Sequence, residues 1–197
     1  MLNVLIARHG QSEWNQLGRW QGRADPELSE FGLRQAAAAA MHCGAFDAIV
    51  SSNLLRASHT ALVISEATGV GPVLIDDAFS ERDVGAYQGL TRAEIDEQYP
   101  QQLEAGILPE GWENDQLVLG RVQRGLETLR HQCRNGSVLV IAHGGVIYAI
   151  ERHFGLGYQR ISNLEGRWLH HKGTSWNLGE RVALTQNNSS ESQELML

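Results

Sequence analysis

Leu2-Asn3-Val4-Leu5-Ile6-Ala7-Arg8-His9-Gly10 is the stretch that decides the fold. The apolar run over 2–7 is too short for an ordinary helix and stops abruptly at Arg8-His9-Gly10, so it reads as a strand buried on both faces. A second run of the same kind, Ser137-Val138-Leu139-Val140-Ile141-Ala142, also ends directly in a histidine and glycines, His143-Gly144-Gly145. Strands buried on both faces belong to parallel sheets with helices on either side.

The remaining segments fit that frame. Residues 29–41 are predicted to be a helix, with Ser29 as cap, Glu30 in the first turn and a run of alanines. Residues 46–50 and 73–75 read as strands, and 54–68 as a helix closed by Gly69. The helix over 91–99 has Thr91 and Glu94 at capping-box spacing and Pro100 behind it. A long helix over 115–134 carries Val122, Leu126 and Leu129 on one face, and a further helix over 145–154 ends at Gly155. Gly179-Glu180 is expected to be the turn of a hairpin between strands 174–178 and 181–185. Strand–helix alternation predicts an α/β fold: a three-layer sandwich whose mostly parallel central sheet is flanked by helices, with a small inserted lid over about 76–115. The expected organisation is one domain over 1–186, followed by a polar, disordered tail over 187–197.

Composition agrees with a soluble globular chain. The 197 residues are 42% hydrophobic and 20% charged, which excludes a disordered chain and suits one domain. The net charge of −7 argues against a general nucleic-acid partner, and no apolar run is long enough to cross a membrane. Cys43 and Cys133 match no metal or redox spacing and read as reduced thiols of a cytoplasmic protein. Charge is uneven: 76–115 holds eleven acidic residues against two arginines, Arg82 and Arg92, and Lys172 is the single lysine. A solvated acidic face or a lid over the site both account for that segment.

The chemistry lies where the buried strands end, because ligands of open α/β sheets bind at the carboxyl edge. Two strands deliver His9 and His143 there, each followed by glycine. Arg8 precedes the first histidine, and Arg56 stands in the first turn after the strand over 46–50. Two guanidiniums and two imidazoles at one edge suit a dianionic oxyanion. His170-His171 lacks the i, i+4 spacing of a helical metal pair, so no metal site is expected. His42, His59, His131 and His153 read as surface residues, and Gly69-Val70-Gly71 precedes a strand and is no dinucleotide fingerprint. Trp14, Trp20 and Trp112 fall in loops near the proposed site, where they are either packing residues or substrate contacts.

The block around Arg8-His9-Gly10, continuing Gln11-Ser12-Glu13-Trp14-Asn15, is similar to the signature of the histidine phosphatase superfamily, the phosphoglycerate-mutase-like family. Leu28-Ser29-Glu30-Phe31-Gly32-Leu33-Arg34-Gln35-Ala36 resembles the family's first helix, and Ser51-Ser52-Asn53-Leu54-Leu55-Arg56-Ala57-Ser58-His59-Thr60-Ala61 its second arginine block. Ala142-His143-Gly144-Gly145 resembles the second histidine block, and Glu81-Arg82-Asp83-Val84-Gly85-Ala86-Tyr87-Gln88-Gly89-Leu90-Thr91 the acid-bearing block. Many members carry Gly-Glu-Ser or Gly-Glu-Thr before the long helix; here Gly111-Trp112-Glu113-Asn114 stands instead.

The resemblance implies a metal-independent phosphomonoesterase for a small phosphorylated metabolite, with no cofactor. It implies His9 as nucleophile, Glu81 as general acid and base, and Arg8, Arg56 and His143 around the phosphoryl oxygens. Asn15, Gln21, Gly22 and Gly144 would contact the substrate. Two alternatives stand beside it: a 2,3-bisphosphoglycerate-dependent phosphoglycerate mutase, and a non-catalytic phosphate-binding protein on the same fold. The family's mutases resemble one another in carrying extra lysines and arginines in the inserted segment, whereas this one is strongly acidic.

Overall fold

The computed structural model describes residues 1–185. Strand β1 (Leu2–Arg8) lies at the centre of a six-stranded sheet. Its parallel neighbour is β4 (Gly136–Ala142), beyond which come β2 (Ala48–Ser51) and β3 (Leu74–Ile75), all parallel. On its other side β1 pairs antiparallel with β5 (Glu165–Lys172), which pairs antiparallel with β6 (Ser175–Ala183). The order is β3-β2-β4-β1-β5-β6, with β5 alone running against the rest.

Helices α1 (Glu13–Gln16), α2 (Glu30–Ala40), α3 (Leu55–Thr68), α4 (Arg92–Gln98), α5 (Asp115–Gln132) and α6 (Gly144–His153) complete the fold. Alternation along the central strands makes the three layers. Val4 and Ile6 of β1 and Val138 and Val140 of β4 pack with Val122 and Leu126 of α5 and Ile147 and Ile150 of α6. Leu5, Ala7, Leu139 and Ile141 face the other way, toward Ala39 of α2 and Ala57, Ala61 and Ile64 of α3. A one-residue slip would exchange the two cores, so the register of these strands is tightly specified. A smaller cluster of Val84, Tyr87 and Ile95, with Trp20, Leu90 and Trp112 packed on it, holds the acidic 76–115 segment together.

The expected helix ends are present. Ser29 and Thr91 accept hydrogen bonds from the Gly32 and Glu94 amides, and Glu94 closes a capping box. The hairpin expectation is overturned. Its turn is Gly173-Thr174, with Gly173 at φ +65° and Lys172 paired to Ser175, while Gly179 lies inside β6. A Cβ at Gly179 would come within 2.8 Å of Trp168 Cβ and 2.5 Å of the His170 ring, so this glycine permits close strand approach, not a turn. The tail expected over 187–197 lies outside the described residues.

Candidate active site

Strands β2, β4 and β1 are adjacent and parallel, so the residues that follow them meet at one edge. These are Ser52, His143 and His9. Arg8 and Ala142 are register partners, which sets the two histidines side by side, with ring centroids 5.1 Å apart and planes at 59°. His9 is 2% exposed and His143 is completely buried.

Each imidazole is held by one nitrogen. His9 Nδ1 lies 2.6 Å from the Gly10 carbonyl, which only accepts, so Nδ1 carries the proton and Nε2 keeps its lone pair. The backbone of His9 is tied to its surroundings by its amide, which donates to Ala142 O (3.0 Å), and by its carbonyl, which accepts from Asn163 Nδ2 (2.8 Å). His143 Nε2 lies 2.7 Å from Ser52 Oγ, which leaves Nδ1 buried without a partner. Both rings are held well below the usual histidine pKa, first by burial and then by the neighbouring Arg56 charge. Both are therefore neutral near pH 7.

The arginines are oriented by carbonyls. Arg56, completely buried in the first turn of α3, donates from Nη1 to Ala24 O (2.7 Å) and from Nη2 to Gly22 O (3.0 Å). Its Nε has no partner. Burial is the main reason its pKa falls to about 10, so it remains charged at neutral pH. Arg8 donates from Nη1 to Ile161 O (2.8 Å). Among the described residues, Arg56 Nε and His143 Nδ1 are the two buried side-chain nitrogens with no hydrogen-bond partner, and both belong to this site. Buried polar nitrogens without a partner are uncommon, and a group bound between them would satisfy both.

Glu81 comes from the acidic segment. Its Oε1 accepts from the Arg82 amide (2.7 Å) and its Oε2 from the Gly145 amide (3.3 Å) in the first turn of α6. A Cβ at Gly145 would fall on Glu81 Oε1, so the second glycine after His143 makes room for this carboxylate. Arg8 and Arg56 both sense the Glu81 charge.

The remaining candidates take varied places. Asn15 Oδ1 closes a capping box with Ser12, while Nδ2 is left available. Gln21 Oε1 accepts from Ser12 Oγ (2.8 Å), and Gly22 enters through the carbonyl that orients Arg56. Gly144 is buried at the start of α6. Glu113 is occupied elsewhere: Arg121 grips both its oxygens (2.8 and 3.0 Å). Arg82 turns away from the site to Asp115 and to Glu113 O (2.7 Å). Trp20 and Trp112 pack around Tyr87 at 5.8 and 6.4 Å, as members of the small core. Sequence reasoning missed Ser52, Ile161 and Asn163. The paired serines at the end of β2, Ser51 within it and Ser52 just after, were a readable signal for the first; Ile161 contributes only a carbonyl, and Asn163 lies in an irregular segment.

Fold and site together define a three-layer α/β protein with a largely buried cluster of two arginines and two histidines at the carboxyl edge of its sheet. The family model for the histidine phosphatase superfamily (branch 1) matches residues 4–183, and this chain belongs to that family. Phosphoserine phosphatase 1 of Hydrogenobacter thermophilus is 36% identical over 151 residues, covering 73% of this chain and 71% of that one. A 2,3-bisphosphoglycerate-dependent phosphoglycerate mutase of Cytophaga hutchinsonii is 36% identical over 163 residues, covering 76% of each. Mycobacterial glucosyl-3-phosphoglycerate phosphatase, solved with VO3, superimposes with a TM-score of 0.83 at 30% identity, covering 92% of this chain and 99% of that one. Relatives from Mycobacterium tuberculosis are 38% identical over 148 residues, 71% of this chain, and the chain spans about 40% of their length.

Proposed function

We propose that this chain is a metal-independent phosphomonoesterase that hydrolyses a small phosphorylated metabolite through a phosphohistidine on His9. The observation that carries this reading is the pair of unpartnered buried nitrogens, Arg56 Nε and His143 Nδ1, beside a neutral imidazole whose Nε2 is free to attack.

The phosphoryl oxygens accept from Arg8, from Arg56 Nε and from His143 Nδ1–H, with Ser52 donating to His143 Nε2. Asn15 Nδ2 adds a donor, and the start of α6 adds positive potential. His9 Nε2 forms a bond to phosphorus as the ester P–O bond breaks, and the Glu81 carboxyl gives its proton to the departing oxygen. Water then attacks the phosphohistidine, Glu81 takes the proton, and phosphate leaves with His9 neutral again. The 76–115 segment, which carries Glu81, serves as the lid. Gln21 and Gly22 line the turn that holds Arg56 in place.

A mutase must grip a second anion. The two arginines of the acidic segment are both committed to its own carboxylates, Arg82 to Asp115 and Arg92 to Asp96 (2.8 Å), which favours hydrolysis. The free thiols Cys43 and Cys133 suit a cytoplasmic location. The test is turnover of a panel of phosphomonoesters with chelator present, with and without 2,3-bisphosphoglycerate. Hydrolysis that is insensitive to chelator and independent of the bisphosphate, and that vanadate inhibits, supports the reading. Activity restored only by a divalent ion, or phosphoryl transfer without net hydrolysis, overturns it.

A further inference from the structure

The segment between α6 and β5 does more than return the chain to the sheet. It is pinned from below by a buried ion-pair group: Glu151, 2% exposed, binds both Arg167 (2.7 Å) and Arg181 (2.5 Å). Arg181 in turn donates to the carbonyls of Gln159 (2.7 Å) and Arg160 (3.0 Å). At the next residue of this strap, Ile161 gives its carbonyl to Arg8 and its amide donates to Tyr148 Oη (3.0 Å). The ring of Tyr148 stands beside Gly144, 3.5 Å from where a Cβ would be, and so forms a wall next to the start of α6. Against that wall lies Tyr158, with ring centroids 4.9 Å apart, and Tyr158 is 69% exposed. The electrostatic influence of both tyrosines, and of the Arg160 cation between Tyr158 and Ile161 in the strap, reaches the Arg8 guanidinium.

A large aromatic side chain is thus held open to solvent, on a strap fixed by a buried carboxylate and two arginines, at the rim of the anion pocket. Charged groups are seldom buried without structural purpose, and here they set the backbone of a four-residue stretch that orients Arg8 and presents a ring. An aromatic face offers an uncharged flat group both apolar contact and a geometric preference for stacking.

We propose that Tyr158, backed by Tyr148, is a leaving-group subsite that selects phosphomonoesters whose alcohol carries a flat ring. This rests on the hydrolase reading above. The matched substrates are ethyl phosphate, 2-phenylethyl phosphate and a carboxylate-ended analogue, 3-(phosphonooxy)propanoate. All three are esters of primary alcohols of similar acidity, so differences among them report on recognition and not on leaving-group acidity. The wild-type enzyme should show a lower KM for the phenyl-bearing ester than for ethyl phosphate. Tyr158→Ala should raise that KM about three- to tenfold, leave kcat unchanged, and leave the other two substrates as they were. Tyr158→Phe should retain the preference, because the ring and not the hydroxyl makes the contact. An equal change on all three esters, an effect confined to the carboxylate-ended one, or loss of preference in Tyr158→Phe overturns the subsite while leaving the hydrolase reading intact. Absence of turnover with every ester in the wild-type protein overturns both.

Discussion

His9 and His143 stand 5.1 Å apart because the strands that carry them are in register, Arg8 against Ala142. The separation follows from main-chain pairing, and each ring is fixed by one contact, to Gly10 O and to Ser52 Oγ. The pocket is therefore preorganised by backbone, and substitution of its side chains should change chemistry more than architecture.

His9→Ala should fold with the wild-type circular dichroism spectrum and lose turnover by at least about a thousandfold. Wild-type enzyme stopped in alkali during turnover should carry acid-labile phosphate on His9, detected by mass spectrometry of the peptide. A His9→Ala protein at wild-type rate would remove the nucleophile from the mechanism.

Both histidines are neutral in the folded protein and held well below the usual value of 6.5. The unfolded chain therefore binds more protons than the folded one below about pH 6.5, and stability is full above that pH and is lost as the pH falls toward the folded-state values. The slope reaches at most about 1.4 kcal/mol per pH unit for each ring. The carboxylates held low by arginines, Glu113, Asp115 and Glu151, act only below their own usual range of about 4, so they do not confuse the window. Thermal unfolding between pH 5 and 7.5 should show this slope, and His143→Asn should reduce it by about half, leaving the His9 contribution. A flat wild-type profile would show that the rings are not buried as bases.

Arg56→Lys keeps the charge and loses the planar fork that spans Gly22 O and Ala24 O and aims Nε at the phosphoryl oxygen of the proposed mechanism. It should lower kcat/KM by about ten- to a few hundredfold, and cost about 1–3 kcal/mol of stability through the abandoned carbonyls. Urea unfolding and steady-state kinetics read the two effects separately. Full activity in the lysine variant would make Arg56 a structural residue.

Glu81 and Glu113 are separable by their substrate dependence. Glu81→Gln should slow an alkyl phosphomonoester far more than p-nitrophenyl phosphate, since nitrophenolate leaves without a proton. Glu113→Gln should leave that ratio unchanged and cost about 1–2 kcal/mol, because it weakens a half-buried bidentate pair with Arg121. The opposite pattern would transfer the proton-donor role to Glu113.

The two central strands and their histidines were legible because each is an uninterrupted apolar run with an abrupt polar end, and burial on both faces leaves no other arrangement for such runs. The helix caps were legible because Ser29 and Thr91 act on amides three residues away. The hairpin was misplaced because its true turn, Gly173-Thr174, follows His170-His171-Lys172, which has no apolar alternation to mark an edge-proximal strand. Gly179-Glu180 imitates a turn, although Gly179 is there to let Trp168 and His170 approach. Ile161 was out of reach: its contribution is a carbonyl, which every residue type has, and its position depends on Arg181 and Glu151 far along the chain.

The gap at Gly145 has a consequence for how this activity could be lost. The carboxylate of Glu81 occupies the volume that any other residue's Cβ would take. On the mechanism proposed above, one methyl group at position 145 would displace the proton donor yet leave His9, His143 and both arginines where they are. The outcome would be an enzyme slowed strongly on alkyl phosphomonoesters and much less on p-nitrophenyl phosphate, whose leaving group needs no proton. A single carbon atom at position 145 thus bears on which leaving groups this site can expel, and the need for a second glycine after His143 comes from an acid carried by another segment and not from the imidazoles or guanidiniums.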